Sequence, residues 1–439
     1  MRALILILST AALAPAQDSL PLSLKRAVEI ALAPEGNTRV ALAEETIKQA
    51  QSRIAEARAA FLPDLDASVQ DRRQTLNLQT FGFDFQFPAL GFSIPPVAGP
   101  FNVFDARATA QQRVFDFSTI QRFQASKSAA AASRSDLTAT RDQVSDQVAR
   151  AYLACLRADA SLDTARSNVE LSEALLKLAQ NQKNAGTGTG IEVTRAQVQL
   201  SNDRSRLIFA TNDRRRTQLQ LMKTMGLRMD AGLALSDKLA YQPVDPVPVE
   251  KALEKARAER PELKSQKERE QTAWLNYGAV KAERLPSLGA FADYGSIGPD
   301  IAGSRRTYTY GVTLKVPVFD GGRREARRAE SLSQYRQEKL RTHDLEDQIE
   351  LDVRLALDTL SAAATLVQNA REGLSLAENE LAQARRRYEA GVANSIEVTD
   401  AQTRLIRARD TLIAALFAHN LGRIDLASAT GNIQEYVNQ

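Results

Sequence analysis

Two regions of the chain alternate between apolar and polar residues with a period of two, which is typical of a β-strand. In RTYTYGVTLKVPVFD, every second position from Tyr308 to Val318 is a tyrosine, a valine or a leucine. In NVFDARATAQQRVFD, the alternate positions from Phe104 to Val114 are mostly apolar. Strands of roughly ten or more residues are long enough to cross a bilayer in a β-barrel. A half-buried hairpin on a soluble domain would have the same alternation.

Long helical segments make up most of the remaining chain. From Asp116 to Asn184 and from Arg323 to Glu389 there is no proline and almost no glycine. Helices of this length are rare in globular domains and predict coiled-coil packing. The segment that follows the second helix has small and large apolar residues spaced alternately by three and four, which predicts a helix seam: Val398, Ala401, Leu405, Ala408, Leu412 and Ala415.

The chain is internally duplicated. Shifted by 205 residues, AGTGTGIEVT aligns with AGVANSIEVT, and 17 of the 40 residues from Leu171 to Ala210 are identical to their partners. FLPDL matches RLPSL, and VFD occurs at Val114 and again at Val318. We predict a first repeat over 17–240, with a β-hairpin at about 62–115 and a helix hairpin at about 116–228. The second repeat covers 241–431, with hairpins at about 285–319 and 323–428, before a tail at 432–439.

This pattern predicts a mainly α-helical chain with four membrane-length strands, which contribute to a β-barrel. Four strands cannot close a barrel, and an open sheet edge is not tolerated in lipid, so the chain must oligomerise. Two copies would give eight strands, three would give twelve and four would give sixteen. The strand count alone does not choose among them.

The ends and the composition of the chain exclude several classes of protein. Residues 1–16, with an apolar run before Ala14-Pro15-Ala16, predict a secretory signal. One cysteine, Cys155, lies in the apolar context AYLACL and predicts a buried residue. Two histidines are too few for a typical zinc site, so we expect neither metal nor cofactor. The formal net charge of +4, with acids and bases interspersed, gives no basic cluster for nucleic acid.

Three glycines at alternate positions, Gly186, Gly188 and Gly190, could suggest a phosphate-binding loop. Such a loop follows a strand, whereas this one follows a long helix and lacks the Gly-Lys-Ser/Thr ending. The second copy keeps only Gly391 and has Ala393 and Ser395 at the other two positions. A turn that needs one residue of positive φ explains both copies, and we expect no catalytic activity.

Taken together, the paired turns, LPDL and LPSL, the paired VFD and the segment ERPEL resemble the TolC-like outer-membrane efflux proteins, or outer membrane factors. The resemblance covers the whole mature chain. It implies a homotrimer with a twelve-stranded barrel in the outer membrane of a Gram-negative bacterium and a long α-helical barrel through the periplasm. It also implies the exit duct of a tripartite efflux or type I secretion system, with a periplasmic adaptor and an inner-membrane transporter as partners.

The resemblance further implies that the two helix-turn-helix tips form a gated periplasmic mouth where the adaptor docks. The residues at those turns are Ala185, Gly186, Gly190, Ala390, Gly391 and Ser395. Glu397 and Asp400 resemble the acidic pair that projects into the mouth, and Tyr388 and Glu192 resemble residues that hold it shut. Ala393 replaces the arginine expected in that latch, for which Arg387 or Arg195 could substitute.

Alternatives remain open at this point. Asp400 could instead form an i, i+4 pair with Arg404 on a solvated helix. A phenylalanine-rich insertion within 80–101 could cap the barrel, pack over its neighbour or touch lipid, or simply extend the strands. A periplasmic or surface coiled-coil scaffold without a pore would explain the helices and leave the alternation of Tyr308 to Val318 unused.

Overall fold

In the computed structural model, residues 20–33, 36–82, 86–87, 92–93, 96–230 and 232–438 are described. The chain is mostly helical, with a small sheet. In chain order the described elements are β1 (Leu20–Leu22), α1 (Leu24–Leu32), α2 (Thr38–Ala59), β2 (Asp64–Asn77), β3 (Gln86–Phe87), β4 (Phe92–Ser93), β5 (Val97–Phe115), α3 (Phe117–Asn184), α4 (Gly190–Met225), β6 (Leu233–Leu235), α5 (Val249–Glu259), α6 (Pro261–Ala282), β7 (Ser287–Gly298), β8 (Arg305–Lys315), α7 (Arg323–Glu389), α8 (Ser395–Ala429) and α9 (Ile433–Asn438).

Two compact units, each drawn from both halves of the chain, make up the fold. Unit 1 contains residues up to Glu45, Ser135–Lys264 and His343–Gln439, and unit 2 contains Thr46–Arg134 and Ser265–Thr342. The long helices α3 and α7 run through both ranges.

The core of unit 1 surrounds the short parallel pair β1–β6. Leu22, Val28, Val148 and Leu221 are buried together there with Tyr152. The Tyr152 hydroxyl lies 2.6 Å from the Asp237 carboxylate and 2.9 Å from the carbonyl of Leu22, which ties the first strand to α3. Cys155 is buried in the same cluster, and burial raises the pKa of its thiol to about 11. The prediction of a buried cysteine is confirmed.

The C-terminal residues form a short packed helix. Residues 433–438 of the predicted tail form α9, and Ile433 and Val437 are buried against unit 1. Gln434 donates to the carboxylate of Asp142 at 3.0 Å and to the hydroxyl of Ser145 at 2.9 Å. The apolar i, i+4 spacing of Ile433 and Val437 was the available signal for a packed helix.

Unit 2 contains a four-stranded antiparallel sheet in the order β2–β5–β7–β8. The register places Leu65, Ala110, Ala292 and Tyr310 in one row, and Ala67, Ala108, Tyr294 and Tyr308 in the next. None of the described residues covers this apolar face, on which Leu65, Tyr308 and Tyr310 are 73%, 71% and 78% exposed. The opposite face is polar, and there Arg107 lies 2.9 Å from both Asp105 and Asp293.

Prolines and aspartates set the bounds of these strands and of the long helices. β8 ends at Lys315, before Pro317, because proline has no N–H for the ladder. The aspartate of each VFD then starts a long helix. The Asp116 carboxylate accepts from the N–H of Ser118 at 2.9 Å, and the Asp320 carboxylate accepts from the N–H of Arg324 at 3.1 Å.

The phenylalanine-rich insertion lies partly outside the described residues, which include neither 83–85 nor 88–91. Of its described part, Leu78–Phe81 forms a 3₁₀ turn, and Gln86–Phe87 pairs with Phe92–Ser93 in a short antiparallel ladder. β5 begins at Val97 and pairs with β2 up to Asn77, so residues 97–101 of the insertion extend the strand.

Candidate functional site

Both helix hairpins of unit 1 end in the same turn. In the first, α3 ends at Asn184 and Gly186 adopts a φ of 77°, while the N–H of Thr187 donates to the carbonyl of Gln182 at 3.0 Å. In the second, Gly391 has a φ of 72° and the N–H of Val392 donates to the carbonyl of Arg387 at 3.0 Å. Neither Gly188 nor Gly190 has a positive φ. The prediction of a turn that needs one left-handed residue is confirmed.

The helices that leave the turns are capped differently. The Glu192 carboxylate accepts from the backbone N–H of Thr189 at 2.8 Å, as in a capping box. At the second turn, the Asn394 side chain accepts from the N–H groups of Ile396 and Glu397 at 3.1 and 3.3 Å. Glu192, which the sequence suggested as a latch residue, therefore also stabilises the start of α4.

Tyr388 lies in the apolar core of the tips and is only 6% exposed. It packs in one cluster with the following residues of α3, α7 and α8: Leu175, Ala377, Leu381, Ala384, Val398, Ala401 and Leu405. Its hydroxyl is buried and has no hydrogen-bond partner among the described residues. Burial, and secondarily the charge of Glu192, raise the pKa of Tyr388. Tyr388 and Glu192 line the same small cavity of about 30 Å³.

The seam predicted along α8 is the buried side of that helix. Val398, Ala401, Leu405 and Ala415 are buried, and Ala408 and Leu412 pack against apolar clusters as partly buried residues. The spacing by three and four identified the contact face because neighbouring helices bury the same stripe over several turns.

The two acids after the second turn are both exposed, but their surroundings differ. Glu397 forms an ion pair with Arg387, with 3.0 Å between the carboxylate and Nε. In the described part of the chain Asp400 has no ion-pair partner. Arg404, the alternative partner considered for Asp400, instead pairs with Glu380 of α7 at 2.7 Å. The interpretation of Asp400 and Arg404 as an i, i+4 bridge is therefore wrong, because the arginine reaches across to the neighbouring helix.

A buried polar network, which the sequence analysis did not predict, lies near the tips. The carboxylate of Asp203, which is 1% exposed, accepts from the Ser172 hydroxyl at 2.6 Å and from the Gln199 amide at 3.0 Å. The Gln402 amide donates to Ser172 at 2.6 Å. The network joins α3, α4 and α8 beneath the cavity that Tyr388 lines. A glutamine next to seam residue Ala401 was the only sequence signal for it.

Two features are absent from the ranges that the structure describes. No group of three or more histidine, cysteine, aspartate or glutamate side chains could hold a metal ion there. No helix in those ranges is both long and apolar enough to cross a membrane.

The family model and the relatives that match this chain all indicate one protein family. The family model described as "Outer membrane efflux protein" matches residues 30–227 and 252–432. The alkaline protease secretion protein AprF of Pseudomonas aeruginosa is 25% identical, over 70% of this chain and 65% of its own length. The probable efflux pump outer membrane protein SepC of Pseudomonas putida is also 25% identical, over 65% of this chain and 60% of its own length. The chain thus spans slightly less than two thirds of both relatives.

The fold has solved counterparts. The outer membrane protein VceC of Vibrio cholerae superposes with a TM-score of 0.78 at 18% identity, over 93% of this chain and 96% of VceC. At that identity the likeness supports the architecture of the chain, and residue roles do not transfer from it.

Proposed function

Since the chain belongs to the outer membrane efflux protein family, an outer-membrane family of channel proteins that are not enzymes, we propose that three copies form an exit duct. Each copy contributes β2, β5, β7 and β8 to a twelve-stranded barrel in the outer membrane, and the long helices continue through the periplasm. Substrates pass passively from an inner-membrane transporter and a periplasmic adaptor to the exterior.

The observation that carries this proposal is the sheet of unit 2. One face carries rows of alanine, leucine, valine and tyrosine that no other part of the described chain covers. The strands β2 and β8 are both edges, 14 and 11 residues long, with one side of each ladder unpaired. Soluble proteins avoid long, apolar, unprotected edges, whereas a closed barrel in lipid uses both features.

The two tips supply a gate in this proposal. Ala185, Gly186, Gly190, Ala390, Gly391 and Ser395 form the turns where the adaptor docks. Tyr388 and Glu192 hold the mouth closed, and Glu397 with Asp400 forms the acidic constriction. Three copies bring six carboxylates together, which favours cations where the pore is narrow. The unpartnered hydroxyl and buried ring of Tyr388 support a closure that depends on helix packing.

Two classes of exported substrate are compatible with the relatives, namely secreted proteins and the substrates of efflux pumps. AprF is named for protease secretion and SepC for an efflux pump, so we propose an exit duct for either type I secretion or tripartite efflux. The gene neighbourhood separates the two, because a proton-driven pump beside an adaptor indicates efflux, and an ATP-driven transporter beside a secreted protein indicates secretion.

Membrane fractionation separates the duct from the scaffold alternative. The duct predicts oligomers in the outer-membrane fraction that resist detergent and change mobility on a gel when heated. A coiled-coil scaffold predicts a soluble extract instead, and that result would overturn the proposal.

The gate has its own test. The double variant Tyr388→Ala with Glu192→Ala removes the buried ring and is expected to raise single-channel conductance or antibiotic leakage. Arg386→Gln, a change at an exposed position of the same helix, serves as a control with unchanged conductance. No change in the double variant would assign closure entirely to the rest of the packed helix core.

A further inference from the structure

A cavity of about 660 Å³ lies in unit 2 at the junction between the sheet and the long helices. Its walls are the helix-proximal ends of β5, β7 and β8, the segment 317–320 and the first turns of α3 and α7. Arg113 and Thr313 flank Gly289 in one row of the sheet, on the polar face that also carries Arg107 and Asp293. In the proposed assembly this face lines the water-filled interior.

The cavity is strongly basic. Its lining contains six cations, Arg113, Arg122, Lys315, Arg323, Arg324 and Arg327, and three carboxylates, Asp116, Glu283 and Asp320. Glu283 pairs with Arg122 and Arg327, each at 2.6 Å, and Asp320 pairs with Arg324 at 2.8 Å. Asp116 accepts hydrogen bonds from the N–H of Ser118 and from the hydroxyl of Thr119, each at 2.9 Å, so all three carboxylates have partners within the chain.

Three of the cations are not compensated. Arg113, Lys315 and Arg323 are exposed and have no ion pair among the described residues. They come from three elements, β5, β8 and α7, and all line the same cavity. Uncompensated like charges repel one another, so an arrangement that brings them together favours a bound anion.

Two helix N-termini and a buried serine hydroxyl at the cavity also favour a bound anion. The duplicated VFD motif places the N-termini of α3 and α7 at this cavity, and helix N-termini favour anions. Ser118, in the first turn of α3, is 4% exposed and lines the cavity. Its Oγ is buried without a hydrogen-bond partner in the described part of the chain, so a donor is available for a ligand oxygen.

We propose that this cavity is an oxyanion-binding site on the inner wall of the duct, which takes phosphate or carboxylate groups of water-borne solutes. Lys315, Arg323 and Arg113 supply the charge, and the Ser118 hydroxyl supplies a hydrogen bond. The location on the inner wall depends on the proposed function, whereas the binding itself does not. Three such sites would concentrate anionic solutes at the inner wall of the duct.

The test is equilibrium dialysis of radiolabelled inorganic phosphate against the full-length protein, extracted from membranes in detergent. We expect saturable binding of about one phosphate per chain, weakened as salt screens the cations. In Lys315→Gln with Arg323→Gln the dissociation constant should rise at least tenfold. Ser118→Ala should raise it about tenfold, since a hydrogen bond from a hydroxyl to a charged phosphate oxygen is stronger than one between neutral groups.

The matched control is Arg305→Gln. It removes one positive charge from the same face of the same strand β8, at the end far from the cavity, and should leave phosphate binding unchanged. The Lys315 and Arg323 variants should migrate as wild-type oligomers on unheated gels, because both side chains are exposed and form no ion pair with any residue that the structure describes. If the double variant does not assemble, the single variant Lys315→Gln takes its place, with an expected loss of at least threefold.

Three outcomes overturn the inference. The first is that the wild type shows no saturable phosphate binding. The second is that the Lys315 and Arg323 variants bind phosphate with the same dissociation constant as the wild type. The third is that Arg305→Gln weakens phosphate binding as much as the double variant does. A phospholipid that co-purifies with the wild type, is lost in the double variant and is detected by native mass spectrometry would assign the site to lipid and refute the water-borne ligand. A protein that binds phosphate but conducts no current would refute the duct and leave the site standing.

Discussion

At the scale of single residues, the tips depend on backbone geometry at one position in each turn. Gly186 and Gly391 have φ near +75°, and a Cβ at either would meet no atom within 4 Å. The requirement for glycine there is therefore conformational and not steric. The second copy of the repeat made this visible in the sequence, because only one of the three glycines is kept.

Gly186→Ala should destabilise the protein by about 1 kcal/mol, the cost of placing a side chain in the left-handed region. Gly190→Ala is the control, since Gly190 also has open space around it but has no positive φ. The measurement is the midpoint of thermal unfolding by circular dichroism. Equal midpoints for the two variants would contradict this account of the turn.

The acids at the second turn should contribute unequally to ion selectivity. Asp400→Ala should reduce cation preference more than Glu397→Ala, because Arg387 offsets the charge of Glu397 and the described chain offers no such partner to Asp400. Reversal potentials of single channels in a salt gradient measure this. Unchanged selectivity in the double variant Glu397→Ala with Asp400→Ala would mean that no acidic ring lies in the pore.

At the scale of secondary-structure elements, periodicity was the most informative signal. The alternation in the two tyrosine- and alanine-rich stretches predicted β8 and β5, and the absence of proline predicted the long helices α3 and α7. The partners of polar side chains could not be predicted. Arg404 forms an ion pair with Glu380, and Ser172 donates a hydrogen bond to Asp203, in each case between two helices. The relative register of those helices is set by packing, so residue spacing along one helix does not predict it.

The two faces of β8 give a matched pair of variants. Tyr310→Lys places a charge on the apolar face and should prevent stable insertion, at a cost of about 2–4 kcal/mol if the site lies near the bilayer midplane. Thr309→Lys places the same charge one residue away, on the polar face, and should be tolerated. The measurement is the fraction of heat-modifiable oligomer in the outer membrane. Equal assembly of both variants would contradict a lipid-facing apolar surface.

The helix α8 carries a pH-sensitive residue. His419 is 1% exposed, and burial, followed by the charge of Arg423, lowers its pKa from the ordinary value near 6.5. Its folded-state pKa is depressed, so its stabilising contribution is present above pH of about 6.5 and is lost as the pH falls through the folded-state value. The thermal midpoint should therefore fall as the pH is lowered from about 7.5 to about 5.

His419→Gln should reduce that pH dependence, and His343→Gln provides the control because His343 is exposed and is the only other histidine of the chain. The measurement is the thermal midpoint of the wild type and of both variants between about pH 5 and about pH 7.5. The same slope in the His419 variant as in the wild type would assign the pH dependence to carboxylates instead.

At the scale of the whole molecule, one chain presents an incomplete structure. Among the described residues nothing covers the apolar face of its sheet or pairs with its two long edges, and a closed, lipid-embedded barrel removes both features. The sequence predicted four strands and the need for further copies from this argument. It could not predict the number of copies, because the curvature of a barrel is set by strand stagger between chains.

The most direct test of the account is the number of chains in the complex extracted from the outer membrane, counted by native mass spectrometry in detergent. We predict three chains, which supply the twelve strands of one barrel. A single chain, or two or four chains, would contradict the proposed duct.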